Sequence, residues 1–226
     1  MMDPARILYE DNHLIAVNKL PGEISQGDKT GDIPIGELVS EYLKVKYQKP
    51  GNVYLGVLHR LDRPASGVLL FAKTGKAAER MSRIIAEREV EKTYFVITDR
   101  CPQPENGSLT HLLWKNQKQN KSYVIQGNRT GAKEARLQYE LVERSESFFL
   151  LRVLLETGRH HQIRAQLAAI GCPVKGDLKY GSARSNPDGS VCLHAHTLAF
   201  THPVTGTYIS ICAPTPKNHP WTLFST

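Results

Sequence analysis

Two stretches in direct succession decide the fold class: ARLQYELVE at residues 135–143 and FFLLRVLLE at residues 148–156. Both are crowded with aromatic and branched residues, which fit a pleated sheet surface, and only a short polar link separates them. KTYFVIT at 92–98 and SYVIQG at 122–127 read the same way, so the middle of the chain is a cluster of strands. A parallel sheet would need a helix between each pair of strands. The sequence therefore predicts an α+β fold with a mixed, mainly antiparallel sheet.

The flanks carry the helices and more strands. Residues 7–19 read as strand, turn (DNH) and buried strand (LIAVNK), ended by Pro21-Gly22. GDKTGD at 27–32 is a polar loop. Leu38, Tyr42 and Val45 fall on a helical period in residues 35–47, and Pro50-Gly51 stops that helix. A short strand, then HRLD, then VLLFAK follow. A second helix starts at Thr74 or Gly75, with Ala77, Met81, Ile84 and Ile85 as its apolar face. A third follows Thr157-Gly158. VCLHAHTLAF (191–200) and YISICAP (208–214) are strands around the turn HPVTG (202–206). No repeat, low-complexity tract or linker interrupts the chain, which predicts one domain over residues 1–226.

Composition sets the partner class. The chain has 226 residues, 40% hydrophobic and 23% charged, as in ordinary globular proteins. Its net charge of +7 suits a polyanion such as nucleic acid. The four cysteines, Cys101, Cys172, Cys192 and Cys212, form no C-x-x-C pair. Residues 1–13 do not resemble a signal peptide, and no apolar stretch is long enough to span a bilayer. A cytoplasmic protein with reduced thiols is expected. No apolar association stripe is evident, so a monomer is expected.

Five segments carry candidate chemistry. In HRLDRPASG (59–67) the carboxylate of Asp62 lies between Arg60 and Arg63, whose charge favours the anion. It either satisfies backbone N–H groups of a turn ahead of Pro64 or acts as a functional carboxylate. In TGRHHQIRAQL (157–167), Ile163, Leu167 and Ile170 form an inward face, while Arg159, His160 and Arg164 make the first turn basic. A basic first turn opposes the helix dipole. It reads either as a solvated basic face or as a site where an anion, phosphate or buried carboxylate, sits. Tyr94 shares a strand face with Lys92 and Val96, and is either a core tyrosine or a surface on which a base stacks. His194 and His196 lie on one strand face. They form a conceivable zinc pair, but the other histidines, among them His59, His160 and His161, lack metal-site spacing. KNQKQNK (115–121), with Lys115, Lys118 and Lys121, reads as an exposed hairpin loop suited to phosphate contact.

Together these segments resemble the RluA-type RNA pseudouridine synthases. HRLDRPASGVLLFAKT (59–74) is similar to that family's catalytic motif, EKTYFVI (91–97) to its tyrosine motif and TGRHHQIRAQL to its basic motif; GCPVKGDLKYG (171–181) and LHAHTLAFTHP (193–203) are similar to further family segments. The resemblance runs from about residue 7 to residue 214. It implies a pseudouridine synthase fold with a central catalytic cleft flanked by helices, and isomerisation of uridine in ribosomal or transfer RNA without metal or organic cofactor. It implies Asp62 as catalytic carboxylate, Tyr94 stacking on the target base, and Arg164 pairing with Asp62. His59, Arg60, Arg63, Arg159, His160, Lys115, Lys118 and Lys121 are the expected RNA contacts. Leu20 and Ala65 stand where relatives more usually have proline and threonine, asparagine or valine. Many relatives carry an N-terminal S4 RNA-binding domain. Here the catalytic motifs begin almost at once, so a stand-alone catalytic domain recognising RNA with its own loops is expected. The rival readings are a non-catalytic RNA-binding protein on this scaffold and a zinc hydrolase using His194 and His196.

Overall fold

The computed structural model describes residues 2–27 and 31–225, so residues 28–30 of the polar loop lie outside the described residues. In chain order the elements are β1 (Ile7–Glu10), β2 (Leu14–Lys19), α1 (Ile35–Lys46), β3 (Gly56–Val57), β4 (Ser66–Ala72), α2 (Gly75–Ala86), β5 (Glu91–Thr98), β6 (Asn106–Asn116), β7 (Lys121–Ile125), β8 (Lys133–Arg144), β9 (Phe149–Leu155), α3 (Gln162–Ala169), β10 (Leu193–Thr201) and β11 (Tyr208–Cys212). This is the α+β class that the clustered strands predict. The chain divides into two compact units, Met1–Glu91 with Ala195–Pro214, and Lys92–His194 with Thr215–Thr226.

In the first unit the strands lie in the order β1-β2-β4-β10, with β3 on β4 and β11 on β10. The β1–β2, β2–β4, β3–β4 and β10–β11 pairings are antiparallel. All seven residues of β4, SGVLLFA, are buried. A strand needs an unbroken apolar run when both its faces are covered. Val68, Leu70 and Ala72 pack with Ala77 and Met81 of α2 on one face. On the other, Phe71 approaches Gly36 of α1, and Ile35, Val39 and Leu43 of that helix are buried. Thr74 caps α2 as its polar, β-region N-cap position allows, its Oγ accepting from the Ala77 N–H at 3.2 Å.

In the second unit the strand order is β5-β9-β8-β6-β7, with antiparallel β5–β9, β9–β8, β8–β6 and β6–β7 pairs. The strand β6, NGSLTHLLWKN, corrects the sequence reading, which left this segment without an element. Its hydrophobic residues do not begin until Leu109, and its identity comes from pairing with β8 along eight positions. The expected loop 115–121 is correspondingly shorter: Lys115 lies in β6 opposite Ser122, Asn116 ends that strand opposite Lys121 at the start of β7, and only 117–120 form the turn.

The third helix starts later than the sequence suggests. His161 adopts a left-handed backbone, φ +52°, and α3 begins at Gln162. Every residue from Gln162 to Leu167 is buried. The solvated basic face is therefore ruled out for Arg164. Polar residues on so buried a helix must find partners. Gln166 Nε2 donates to the Leu109 and Ala135 carbonyls at 3.2 and 3.1 Å, and Gln162 Nε2 to the Arg136 carbonyl at 2.9 Å.

One glycine in the first unit has no substitute. Gly67, at φ +114°, would place a Cβ 2.2 Å from the Ala195 carbonyl oxygen of β10. Gly67→Ala is expected to cost about 2–4 kcal/mol, from backbone strain and forced separation of β4 and β10, read as a lower urea midpoint.

Candidate active site

Asp62 stands in the link that enters β4, with each neighbour of its backbone held. Its own carbonyl accepts from the Ala65 N–H at 3.0 Å, closing the turn through Pro64. Ser25 Oγ donates to the Leu61 carbonyl at 2.9 Å and accepts from the Leu61 N–H at 3.1 Å. The Gly22 N–H donates to the Arg63 carbonyl at 2.8 Å. Upstream, His59 Nε2 accepts the Leu70 N–H at 3.0 Å, which ties the link to β4. Arg63 pairs with Asp32, and Arg60 is exposed.

The strongest hold on this link is Lys19, a residue not singled out from the sequence. It is fully buried at the end of β2, and its Nζ donates to the carbonyls of Leu20, Arg63 and Ala65 at 3.0, 3.1 and 2.7 Å. These three oxygens replace the ammonium's water. Burial pushes the Lys19 pKa down to about 8, while the charges of Glu23 and Asp62 pull it upward. Lys19 thus fixes the backbone on the C-terminal side of Asp62 and contributes positive charge to its surroundings.

In the second unit Tyr94 lies on β5 opposite Val153 and is 9% exposed. Lys92, two residues earlier on the same face, reaches towards Gly158 of the basic segment, and burial lowers its pKa. Arg164 projects from α3 into a buried ion pair. Its Nε and Nη2 donate to Asp177 Oδ2 and Oδ1 at 2.6 and 2.9 Å. The basic first turn thus has a buried carboxylate facing it.

The rest of that segment forms a polar cluster with β7. Tyr180 Oη accepts the Ser122 N–H at 2.8 Å and donates to the Ser122 carbonyl at 3.0 Å. His161 Nδ1 lies 3.0 Å from the same Tyr180 oxygen. His160 stacks on His161 with ring centroids 3.8 Å apart. His160 Nε2 lies 3.1 Å from Asn120 Oδ1, and its Nδ1 lies 2.8 Å from Ser122 Oγ. Lys121 Nζ lies 4.9 Å from the Tyr180 ring and Lys118 is exposed on the adjoining turn. Arg159 Nε donates to the Glu134 carbonyl at 2.8 Å. The structure therefore gathers His160 and Lys121 about Tyr180, while Lys115 and Lys118 sit along the hairpin.

Residues 13–169 match the family model described as RNA pseudouridylate synthase. The chain belongs to this family, in its RluA-type branch. It is an isomerase that acts on RNA. It is 32% identical over 215 residues to the uncharacterized RNA pseudouridine synthase YlyB of Bacillus subtilis, covering 94% of this chain and 69% of that protein. It is 30% identical over 228 residues to ribosomal large subunit pseudouridine synthase D of Xanthomonas campestris, covering 95% of this chain and 67% of that one. The fold is shared with human RNA pseudouridylate synthase domain containing 4, at a TM-score of 0.78 and 22% identity, over 94% of this chain and 89% of that chain.

In this pseudouridine synthase the two strand histidines of the zinc reading have other surroundings. His196 Nδ1 lies 3.1 Å from the Ala213 carbonyl, and burial lowers its pKa; His194 meets Trp221 edge-on at 5.9 Å. Among the described residues no three His, Cys, Asp or Glu side chains are grouped to hold a metal, and no helix is long and apolar enough to cross a membrane. Sequence reasoning assigned no role to Lys19, Asp177 or Tyr180. Lys19 had one signal, a charge at the end of an apolar strand. Asp177 and Tyr180 had only their place in GCPVKGDLKYG.

Lys19 gives the synthase a stability that rises with alkalinity. Between its folded value near 8 and its unfolded value of 10.5, the unfolded chain binds more protons, so stability increases with pH. Urea unfolding of wild type and Lys19→Met from about pH 7.5 to 10 is expected to show an extra slope of roughly 1 kcal/mol per pH unit in wild type alone.

Proposed function

We propose that this chain acts in the cytoplasm as a single catalytic domain and a monomer, converting specific uridines of ribosomal or transfer RNA to pseudouridine without metal or organic cofactor. The ribosomal substrate is favoured by the names of relatives such as ribosomal large subunit pseudouridine synthase D. The observation that carries the reading is the family's HRLD segment itself, held by Lys19, Ser25 and Gly22 so that the Asp62 backbone has a defined position.

The reaction breaks the N1–C1′ bond, turns the base and joins C5 to C1′. The C5 hydrogen leaves and N1 gains a proton, so no group is lost overall. Asp62 either attacks C1′ as a nucleophile or takes the C2′ proton to give a glycal-like intermediate. Both roles need an ionised carboxylate. The nearby charge of Lys19 supports ionisation, and Arg164, a planar donor fork, pairs with Asp62. Tyr94 stacks on the loosened uracil and keeps it near C1′ while it turns. The target nucleotide must leave its stack to react. Arg60, Arg63, Arg159, Lys115, Lys118 and Lys121 meet the RNA backbone by charge, with His59 and His160 contributing polar contacts.

Release of tritium from uridine C5 tests this directly. Wild type should release it from ribosomal or transfer RNA, and Asp62→Asn should release none while folding and binding RNA as wild type does. Turnover by Asp62→Asn sinks the assignment; binding without release by wild type leaves the non-catalytic RNA-binding reading. Tyr94→Phe should keep part of the rate and Tyr94→Ala lose far more, because the ring face is what stacks. Equal losses would point to the hydroxyl.

A further inference from the structure

The Arg164–Asp177 pair is costly to build. The side chains are 5% and 1% exposed, so both charges have been taken from water. A buried pair of this kind is commonly no more stabilising than well-packed apolar residues of the same volume. Its presence calls for a use other than stability. Its geometry suggests one: Asp177 takes Nε and Nη2, one whole edge of the guanidinium. The plane of the group and the direction of its opposite edge are then set. The Tyr180 ring, 5.1 Å from Arg164 Cζ, supports the same group.

Asp177 is itself held in place. Its N–H donates to the Val174 carbonyl at 3.0 Å, and its carbonyl accepts from Tyr180 and Ser182 N–H groups at 3.1 and 3.0 Å. Gly176, at φ +88°, brings the backbone so close to the Ser190 carbonyl that a Cβ would lie 2.6 Å from its oxygen. The Gly-Asp pair thus delivers a carboxylate that has little freedom to move.

We propose that Asp177 is a positioning residue of the isomerisation. It sets the orientation and the net charge of the Arg164 guanidinium, and through it the hold on Asp62. This rests on the pairing of Arg164 with Asp62 proposed above. Asp177 offsets part of the arginine's charge while directing the remainder, which a lysine at position 164 would not reproduce.

The test is a double-mutant cycle on bulk ribosomal RNA labelled with tritium at uridine C5, using wild type, Asp177→Asn, Arg164→Lys and the double variant. Single-turnover release, RNA affinity and thermal melting are measured for each. Asp177→Asn is expected to lower the release rate roughly tenfold or more, with RNA affinity within about twofold. In the Arg164→Lys background the same change is expected to alter the rate by no more than about twofold, because the edge that Asp177 holds is gone. Equal losses in both backgrounds, or a wild-type rate in Asp177→Asn, overturn the proposal. If Asp177→Asn does not fold, Asp177→Glu keeps the charge but moves the carboxylate by one methylene; a folded, slower enzyme supports positioning and a wild-type rate overturns it. Asp62→Asn run alongside separates the two levels. Its turnover sinks the reading of the site. With Asp62 and Arg164 both required, a neutral Asp177→Asn sinks this inference alone.

Discussion

A cation can be buried only if oxygen atoms take over from its water, and among the described residues Lys19 and Arg164 are buried under that constraint. Lys19 is enclosed by three backbone carbonyls, two of which belong to the segment carrying Asp62. Arg164 is enclosed by the carboxylate of Asp177. Much of the surrounding architecture follows from supplying those oxygens. The turn through Pro64 directs carbonyls 63 and 65 at the lysine. The glycine turn at Gly176 brings Asp177 to the arginine.

The two solutions differ in kind. Carbonyls are dipoles fixed by the backbone, so Lys19 stays a net positive charge, and its removal from water is felt as a lowered pKa. A carboxylate offsets part of its partner's charge and orients it at two points, which suits a guanidinium rather than an ammonium. Lysine therefore organises a loop and arginine presents a directed edge. The buried glutamines of α3 extend the same logic, since each amide that enters the core does so against a backbone carbonyl.

The histidine and tyrosine cluster above α3 shows how one backbone exception reshapes a segment. The left-handed His161 delays the helix and brings two imidazoles into a stack. Tyr180 then satisfies Ser122 and His161 together. No periodicity argument anticipates this, because the periodic signal of Ile163 and Leu167 describes only the apolar face.

Local patterning was enough for much of this protein. Paired apolar runs implied antiparallel strands, Leu38, Tyr42 and Val45 implied α1, and Thr74 marked the start of α2, since each rests on spacing within about ten residues. The ordered motifs around Asp62, Tyr94 and Arg164 were equally visible and led to the right family. What the chain did not reveal locally was β6, whose strand character depends on its partner β8, and the partners of its buried charges. Asp177 is thirteen residues from Arg164 and Arg63 is forty-four from Lys19. Such pairs are chosen by which polar atoms are left without water once the core has closed, and that is a property of the tertiary fold.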